Sequence, residues 1–321
     1  MRKGFGRLLA AFLLLCAGAA CQASTYSNAF FFGDSLSDTG NIFTLTGGAT
    51  PASPYFNGRF SDGPVWAEYL AAGLGLPNAA RASLQGGNDF AFGGARTAGG
   101  TIPSLLSQVG SFASGLPSLD PNALYVLVAG GNDMRDARSA FPAMDATGAA
   151  GRLAAATTAV GNIKSAIDQL AAKGAKNVLI SNLPDLGSTP EAVGLGLAAP
   201  SSDASLQFNT LMAGVVGYGQ SLGLHMSFLD MAGVATAIRN DALNNGGATS
   251  GILNVQTPCG AFAGSLGISC DISAFSDALH PSAHAHQLIG AAALAAVPEP
   301  AAALLMAVGL VALALARRRH A

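Results

Sequence analysis

The sequence predicts an α/β domain organised on a doubly wound, five-stranded parallel sheet. Three observations carry this. Apolar runs at 28–32, 88–92, 123–128, 177–180 and 224–229 have the length and content of buried strands. Longer helical stretches separate most of them, the alternation that gives a parallel sheet covered on both faces. The first four runs also stop abruptly at polar or glycine-rich turns: Gly33-Asp34-Ser35, Gly93-Gly94, Gly130-Gly131-Asn132-Asp133 and Asn182-Leu183-Pro184-Asp185. In such sheets the carboxyl ends of the strands are where ligands and reactive side chains collect.

In order, the strand at 28–32 leads into a long glycine-rich loop. A helix at 65–72 follows, with Pro64 suited to its first position. After the short strand at 88–92 come a helix at 102–112 and the best-defined buried strand, 123–128. A weakly amphipathic helix runs over 149–172 and ends near Lys173-Gly174. The strand 177–180 precedes a helix over 202–222, and 224–229 is the last strand. Residues 244–276, rich in Gly, Ser and Asn, form an excursion before a closing helix at 283–296. No internal repeat and no dividing linker interrupts this pattern. The strand-to-helix junctions lack the spaced glycines that cradle a pyrophosphate or a nucleoside triphosphate, so no cofactor is expected.

Half of the 321 residues are apolar and only 11% are charged, so a packed core is readily supplied. Six of the sixteen basic residues sit at the ends: Arg2, Lys3, Arg7, Arg317, Arg318 and Arg319. The part between is acidic and has no basic stripe, which argues against nucleic acid as a partner.

Both ends read as addressing segments. A basic start, the apolar run Leu8 to Ala20 and small residues after it form an export leader over 1–23, the kind handled by the Sec translocon and signal peptidase. The far end, 298–321, holds Pro298-Glu299-Pro300, an apolar segment at 301–316 and three arginines. Sixteen helical residues reach about 24 Å, a marginal transmembrane span with its arginines inside. This tail resembles the PEP-CTERM sorting signal of Gram-negative bacteria, which implies recognition by an exosortase-type protease and delivery to the cell exterior; an ordinary membrane anchor explains the same hydrophobicity. With Cys16 and Cys21 in the leader, Cys259 and Cys270 remain, and an export context makes a local disulfide between them the expectation. Two cysteines with no second ligand pair nearby give no reason to expect a metal.

The chemistry lies at the strand ends. Ser35 follows a buried strand and is a nucleophile candidate, although a helix-capping serine would sit similarly. A serine needs a base. Of His225, His280, His284 and His286, His280 has the best context, because Asp277 three residues earlier can reach its ring if the segment turns once. The Gly93 N–H and the Asn132 amide, each at a strand end, are candidate donors to a developing oxyanion. Asp34, Asp38 and Asp133 read as loop-organising groups.

Phe32-Gly33-Asp34-Ser35-Leu36-Ser37-Asp38, Phe90-Ala91-Phe92-Gly93-Gly94-Ala95, Gly130-Gly131-Asn132-Asp133 and Asp277-Ala278-Leu279-His280-Pro281 resemble, in order and spacing, the blocks of the GDSL or SGNH esterase/lipase family. The resemblance covers about residues 29–297. It implies a three-layer α/β/α sandwich of flavodoxin-like type, a Ser35-His280-Asp277 triad, and an oxyanion hole from Ser35, Gly93 and Asn132. It also implies hydrolysis of carboxylic esters, small-molecule or lipid, without metal or cofactor. The bulkier Phe90-Ala91-Phe92 departs from the usual second block. A polysaccharide O-acetylesterase and an inactive envelope or matrix protein are the rival readings. Tyr55, Phe56, Phe60 and Trp66 are candidate linings for an acyl channel.

Overall fold

The computed structural model describes residues 26–297. The leader at 1–23 and the tail at 298–321, including its apolar segment, lie outside the described residues. Among the described residues no helix is long and apolar enough to cross a membrane.

Strands β1 (Ala29–Gly33), β2 (Leu124–Val128), β3 (Asn177–Ser181) and β4 (His225–Leu229) lie side by side in that order, all parallel. The register aligns Phe31 with Val126 and Val126 with Leu179. Every residue of β2 is buried, as a central strand covered on both faces requires.

The expected fifth strand is a correction. Residues 88–92 follow the outer edge of β1, with Phe31 N donating to Asn88 O (3.0 Å) and Phe90 N to Phe31 O (2.7 Å). They pair with it only through an isolated Phe31–Asp89 bridge, so the sheet has four strands. Phe92 N still donates to Gly33 O (3.2 Å), but the Gly33 N–H that would complete the next step of the ladder donates to Gln108 Oε1 (2.8 Å). Asp89 ties the run to the nucleophile loop, its Oδ1 accepting from Ala91 N (2.9 Å) and its Oδ2 from Thr39 N and Oγ1. Counting the run as an edge, the order is the doubly wound 2-1-3-4-5, whose switch point falls between β1 and β2.

The α-helices in chain order are α1 (Asn41–Leu45), α2 (Trp66–Gly73), α3 (Leu105–Ser114), α4 (Gly131–Ala140) and α5 (Ala146–Ala172). Then come α6 (Pro190–Gly194), α7 (Ala198–Met212), α8 (Val215–Ser221), α9 (Met231–Asn245) and α10 (Ala283–Ala296). On one face, Phe32, Tyr125, Leu127, Val178 and Ile180 pack against Leu105 and Val109 of α3, Ile163 and Ile167 of α5 and Phe208 of α7. Each fully buried side chain of this size contributes about 1.5–3 kcal/mol. On the other face, Phe31 meets the edge of Trp66 on α2 (6.3 Å between centroids), and α2 packs along α10.

Several boundaries differ from expectation for local reasons. Pro64 precedes the Val65 cap of α2 and is not its first residue, because Glu68 reaches back to the Val65 N–H (2.9 Å). The Asp145 carboxylate caps α5 through Gly148 N (2.8 Å), starting it before 149. The single helix expected over 202–222 is two, α7 and α8, separated at Ala213-Gly214. Helices α4 and α9 were not expected.

Candidate active site

The site is built where β1 and β2 end. Gly33 closes β1 so near β2 that a Cβ there would lie 2.0 Å from Val128 O. Gln108 of α3 holds the same residue, accepting from Gly33 N and donating to Gly33 O, both at 2.8 Å. The chain then turns at once. Ser37 N and Asp38 N both donate to Asp34 O (3.0 Å), and Asp34 Oδ1 accepts from Leu36 N (3.1 Å). Asp38 gathers Gly40 N, Asn41 N and Ile42 N. Both aspartates thus organise the loop, as read from the sequence. Burial pushes the Asp34 carboxyl up to about 6, outweighing the Leu36 N–H that favours its charge. Ser35, between them, is fixed at the turn.

The segment 276–281 meets Ser35 from the other side. Asp277 Oδ1 accepts Leu279 N (2.7 Å) and His280 N (2.5 Å), the single turn that the three-residue spacing suggests. Asp277 Oδ2 lies 2.6 Å from His280 Nδ1, and His280 Nε2 lies 2.9 Å from Ser35 Oγ. A carboxylate accepts only, so Nδ1 carries the hydrogen and Nε2 is left to take the serine proton. Burial alone would raise the Asp277 carboxyl. The His280 ring, the His280 N–H and the Tyr55 hydroxyl overcome it and hold the group well below the usual carboxylate range.

Around this segment, Ser276 Oγ donates to Asp62 Oδ1 (2.7 Å), Glu191 N to Ala278 O (2.7 Å) and Cys259 N to Ser276 O (3.1 Å). Cys259 and Cys270 are joined in a disulfide. Phe262, between them in sequence, packs its ring on Tyr55 (4.9 Å), and Phe60 packs on His280 (5.0 Å).

Asn132 enters on the first turn of α4. Its Nδ2 donates one hydrogen to Ala95 O (2.9 Å), leaving the other, and its Oδ1 accepts from Arg135 Nη1 (3.1 Å). Gly93 is a correction. It reaches the cleft, but its N–H donates to Asp38 Oδ2 (2.7 Å), so it is already engaged. It is a glycine for another reason: a Cβ there would stand 2.2 Å from the Phe60 ring. The next residue, Gly94, is exposed, has φ +81°, and keeps its N–H without a protein acceptor among the described residues, as does Ser35.

Sequence reasoning missed the roles of Tyr55, Arg135 and Glu191. Tyr55, read as a channel lining, donates its hydroxyl to Asp277 Oδ2, and burial and this carboxylate push its own ionisation up. Arg135 orients the Asn132 amide and is itself clamped by Glu191 through Nε–Oε2 (3.0 Å) and a second bond from Nη2. The three-residue spacing of Asn132 and Arg135 on a helix was the available signal, invisible without recognising α4. Trp66 is a core residue, not a channel lining. His286 is fully buried and accepts Trp66 N at Nδ1 (3.2 Å); burial lowers its pKa to about 3. His284 bonds Asp271 O, and His225 is exposed.

Two spaces meet at Ser35, Asn132 and His280. One is a narrow apolar cavity of about 110 Å³; the other is an open cleft of about 700 Å³ bordered by Tyr55, Phe60, Gly94, Glu191 and Phe262.

Residues 30–293 match the sequence profile of the GDSL-like lipase/acylhydrolase family. The chain is 33% identical over 227 residues to a phosphatidylcholine-sterol acyltransferase of Aeromonas hydrophila, covering 66% of this chain and 60% of that protein. It is 30% identical over 248 residues to the esterase EstA of Pseudomonas aeruginosa, covering 65% of this chain and 36% of that one. The aligned region thus spans less than two thirds of the length of either relative. Among solved structures it is similar to Est24, a carbohydrate acetylesterase from Sinorhizobium meliloti, with TM-score 0.46 and 18% identity over 83% of this chain and 96% of that one.

Proposed function

Because the chain belongs to the GDSL-like lipase/acylhydrolase family, we propose that it is a serine hydrolase that cleaves carboxylic esters through an acyl-enzyme. The observation that carries this reading is the His280 ring, with one nitrogen 2.6 Å from Asp277 Oδ2 and the other 2.9 Å from Ser35 Oγ. His280 Nε2 takes the proton of Ser35 as Oγ bonds to the ester carbonyl carbon. Asp277 stabilises the resulting imidazolium and keeps its orientation. The tetrahedral oxyanion is held by the Ser35 N–H, the Asn132 amide and, in place of Gly93, the free N–H of Gly94. The carbon–oxygen bond to the alcohol breaks and His280 returns the proton to the alcohol. A water then repeats these steps on the acyl-enzyme, releasing the carboxylic acid and restoring Ser35.

The assembled triad favours this over an inactive envelope protein. The apolar cavity beside Ser35 favours acyl groups longer than acetyl over a polysaccharide O-acetylesterase. Export is part of the proposal: the leader at 1–23 carries the domain across the inner membrane, and the tail at 298–321 is cut near Pro298-Glu299-Pro300 for delivery to the cell surface or matrix. The disulfide is in keeping with that compartment. The test is a panel of soluble esters, long-chain emulsions and acetylated xylan, assayed with the purified protein beside Ser35→Ala. Turnover of soluble esters that disappears in the variant supports the reading; turnover confined to acetylated xylan would favour its rival.

A further inference from the structure

The two spaces that meet at Ser35 differ in a way that assigns the two halves of the ester. The narrow one is walled mainly by Leu186 after β3, by Met231, Ala235 and Ile238 of α9, by Phe275 and by Ile289 of α10; Asp185 and Arg239 also line it, and it shares Arg135 with the cleft. Met231, Ala235 and Ile238 fall at i, i+4 and i+7, so α9 turns an apolar stripe toward the cavity, with Arg239 beside its end. The wide cleft carries Thr46, Thr50 and Glu191 along with its aromatic rings, and it is the more open to solvent.

The geometry points to the narrow cavity as the acyl pocket and to the open cleft as the alcohol and water side, with an acyl chain of about four to five carbons as the best fit. This rests on the ester-hydrolase reading and deepens it. The order of events decides the assignment. The alcohol must leave and water must enter while the acyl group is still bonded to Ser35. The narrow cavity is the more enclosed of the two, whereas from the open cleft the alcohol leaves directly to solvent. An acyl chain faces no such demand until the last step. It also carries no polar atom beyond the carbonyl, so a mostly apolar wall suits it better than a cleft that carries Glu191, Thr46 and Thr50.

Volume sets the length. A dry apolar cavity of about 150 Å³ holds a six-carbon benzene ring, roughly 25 Å³ per carbon. By that measure the 110 Å³ here holds about four carbons. Each methylene added within the pocket raises kcat/KM by about fourfold, and the gain ends when the pocket is full.

The experiment uses acetate, butanoate, hexanoate, octanoate and decanoate esters of one chromogenic alcohol, with wild type, Ala235→Trp, Ile238→Ala and Phe262→Ala. For wild type, kcat/KM is expected to peak at butanoate or hexanoate. Ala235→Trp should lower the hexanoate-to-acetate ratio by at least about 30-fold, and Ile238→Ala should move the peak to a longer chain. The second variant removes volume from the wall, so it tests the pocket even if the tryptophan prevents folding. Unchanged chain-length profiles in both, with Phe262→Ala shifting the profile instead, would place the acyl chain in the open cleft and overturn the assignment. Absence of turnover of every ester by wild type would overturn the hydrolase reading as well, and so separates the two failures.

Discussion

Tyr55 donates its phenolic hydrogen to Asp277 Oδ2, the same carboxylate oxygen that lies 2.6 Å from His280 Nδ1. The acid of the triad is therefore held by two side chains at one atom, while its other oxygen is held by two backbone N–H groups. A hydrogen bond to a charged group is worth about 1.5–3 kcal/mol. Tyr55→Phe keeps the ring packing on Phe60 and Phe262 and removes only that bond. It should lower kcat by roughly 10- to 100-fold with KM little changed. Steady-state kinetics on a butanoate ester checks this, and a wild-type kcat would remove Tyr55 from the positioning of Asp277.

Asn132 and Arg135 should separate by magnitude. Asn132→Ala removes an amide that faces the developing charge and should cost about 100- to 1000-fold in kcat. Arg135→Met acts only through the orientation of that amide, so its loss should be smaller and should vanish in the Asn132→Ala background. A double-mutant cycle on kcat reads the coupling. Fully additive losses would show that Arg135 acts on something other than Asn132.

The disulfide lies behind the acid segment. Cys259 and Cys270 are separated by 11 positions, and the loop they close presents Phe262 to Tyr55. The double variant Cys259→Ser, Cys270→Ser should lose about 2–4 kcal/mol of stability. Urea unfolding measures that loss. Equal urea midpoints for the variant and the oxidised wild type would contradict it.

His286 supplies a pH dependence of stability with a definite sign. Burial lowers its pKa from an ordinary 6.5 to about 3 in the folded protein. Between those values the unfolded chain binds the proton and the folded one does not. Stability is therefore fully present above pH 6.5 and is lost as pH falls toward 3. From pH 7 to pH 5 the wild type should lose about 2 kcal/mol more than His286→Gln. Asp34, raised to about 6, works in the opposite direction and is common to both proteins, so the difference isolates His286. Identical urea-unfolding losses in the two would contradict the assignment.

Much of this was legible in the chain because strand ends advertise themselves. The runs at β1, β2 and β3 are apolar and stop at turn residues, and Asp277-Ala278-Leu279-His280 carries its own geometry in a three-residue spacing. Helix α4 was hidden because its residues, Gly131-Asn132-Asp133-Met134-Arg135-Asp136, are polar and begin with a glycine, a pattern that reads as a loop. With α4 unseen, the Arg135–Asn132 contact could not be anticipated. The 88–92 run has strand content, but the Gly33 N–H that would extend its pairing with β1 is taken by Gln108, distant in sequence. Gly93 marked the turn, but that its N–H is engaged while that of Gly94 is not depends on Asp38, distant in sequence. Alanine-rich α9 offered little hydrophobic contrast, so the wall of the narrow cavity was not visible before folding.

The account rests on Ser35 as the nucleophile, and the most direct measurement is covalent labelling by a serine-directed phosphonate, read by peptide mapping, alongside kcat/KM of Ser35→Ala. The account predicts one adduct, on Ser35, and a loss of at least about 1000-fold in the variant with an unchanged urea midpoint. A Ser35→Ala protein that hydrolyses esters at the wild-type rate, or an adduct on another residue, would contradict it.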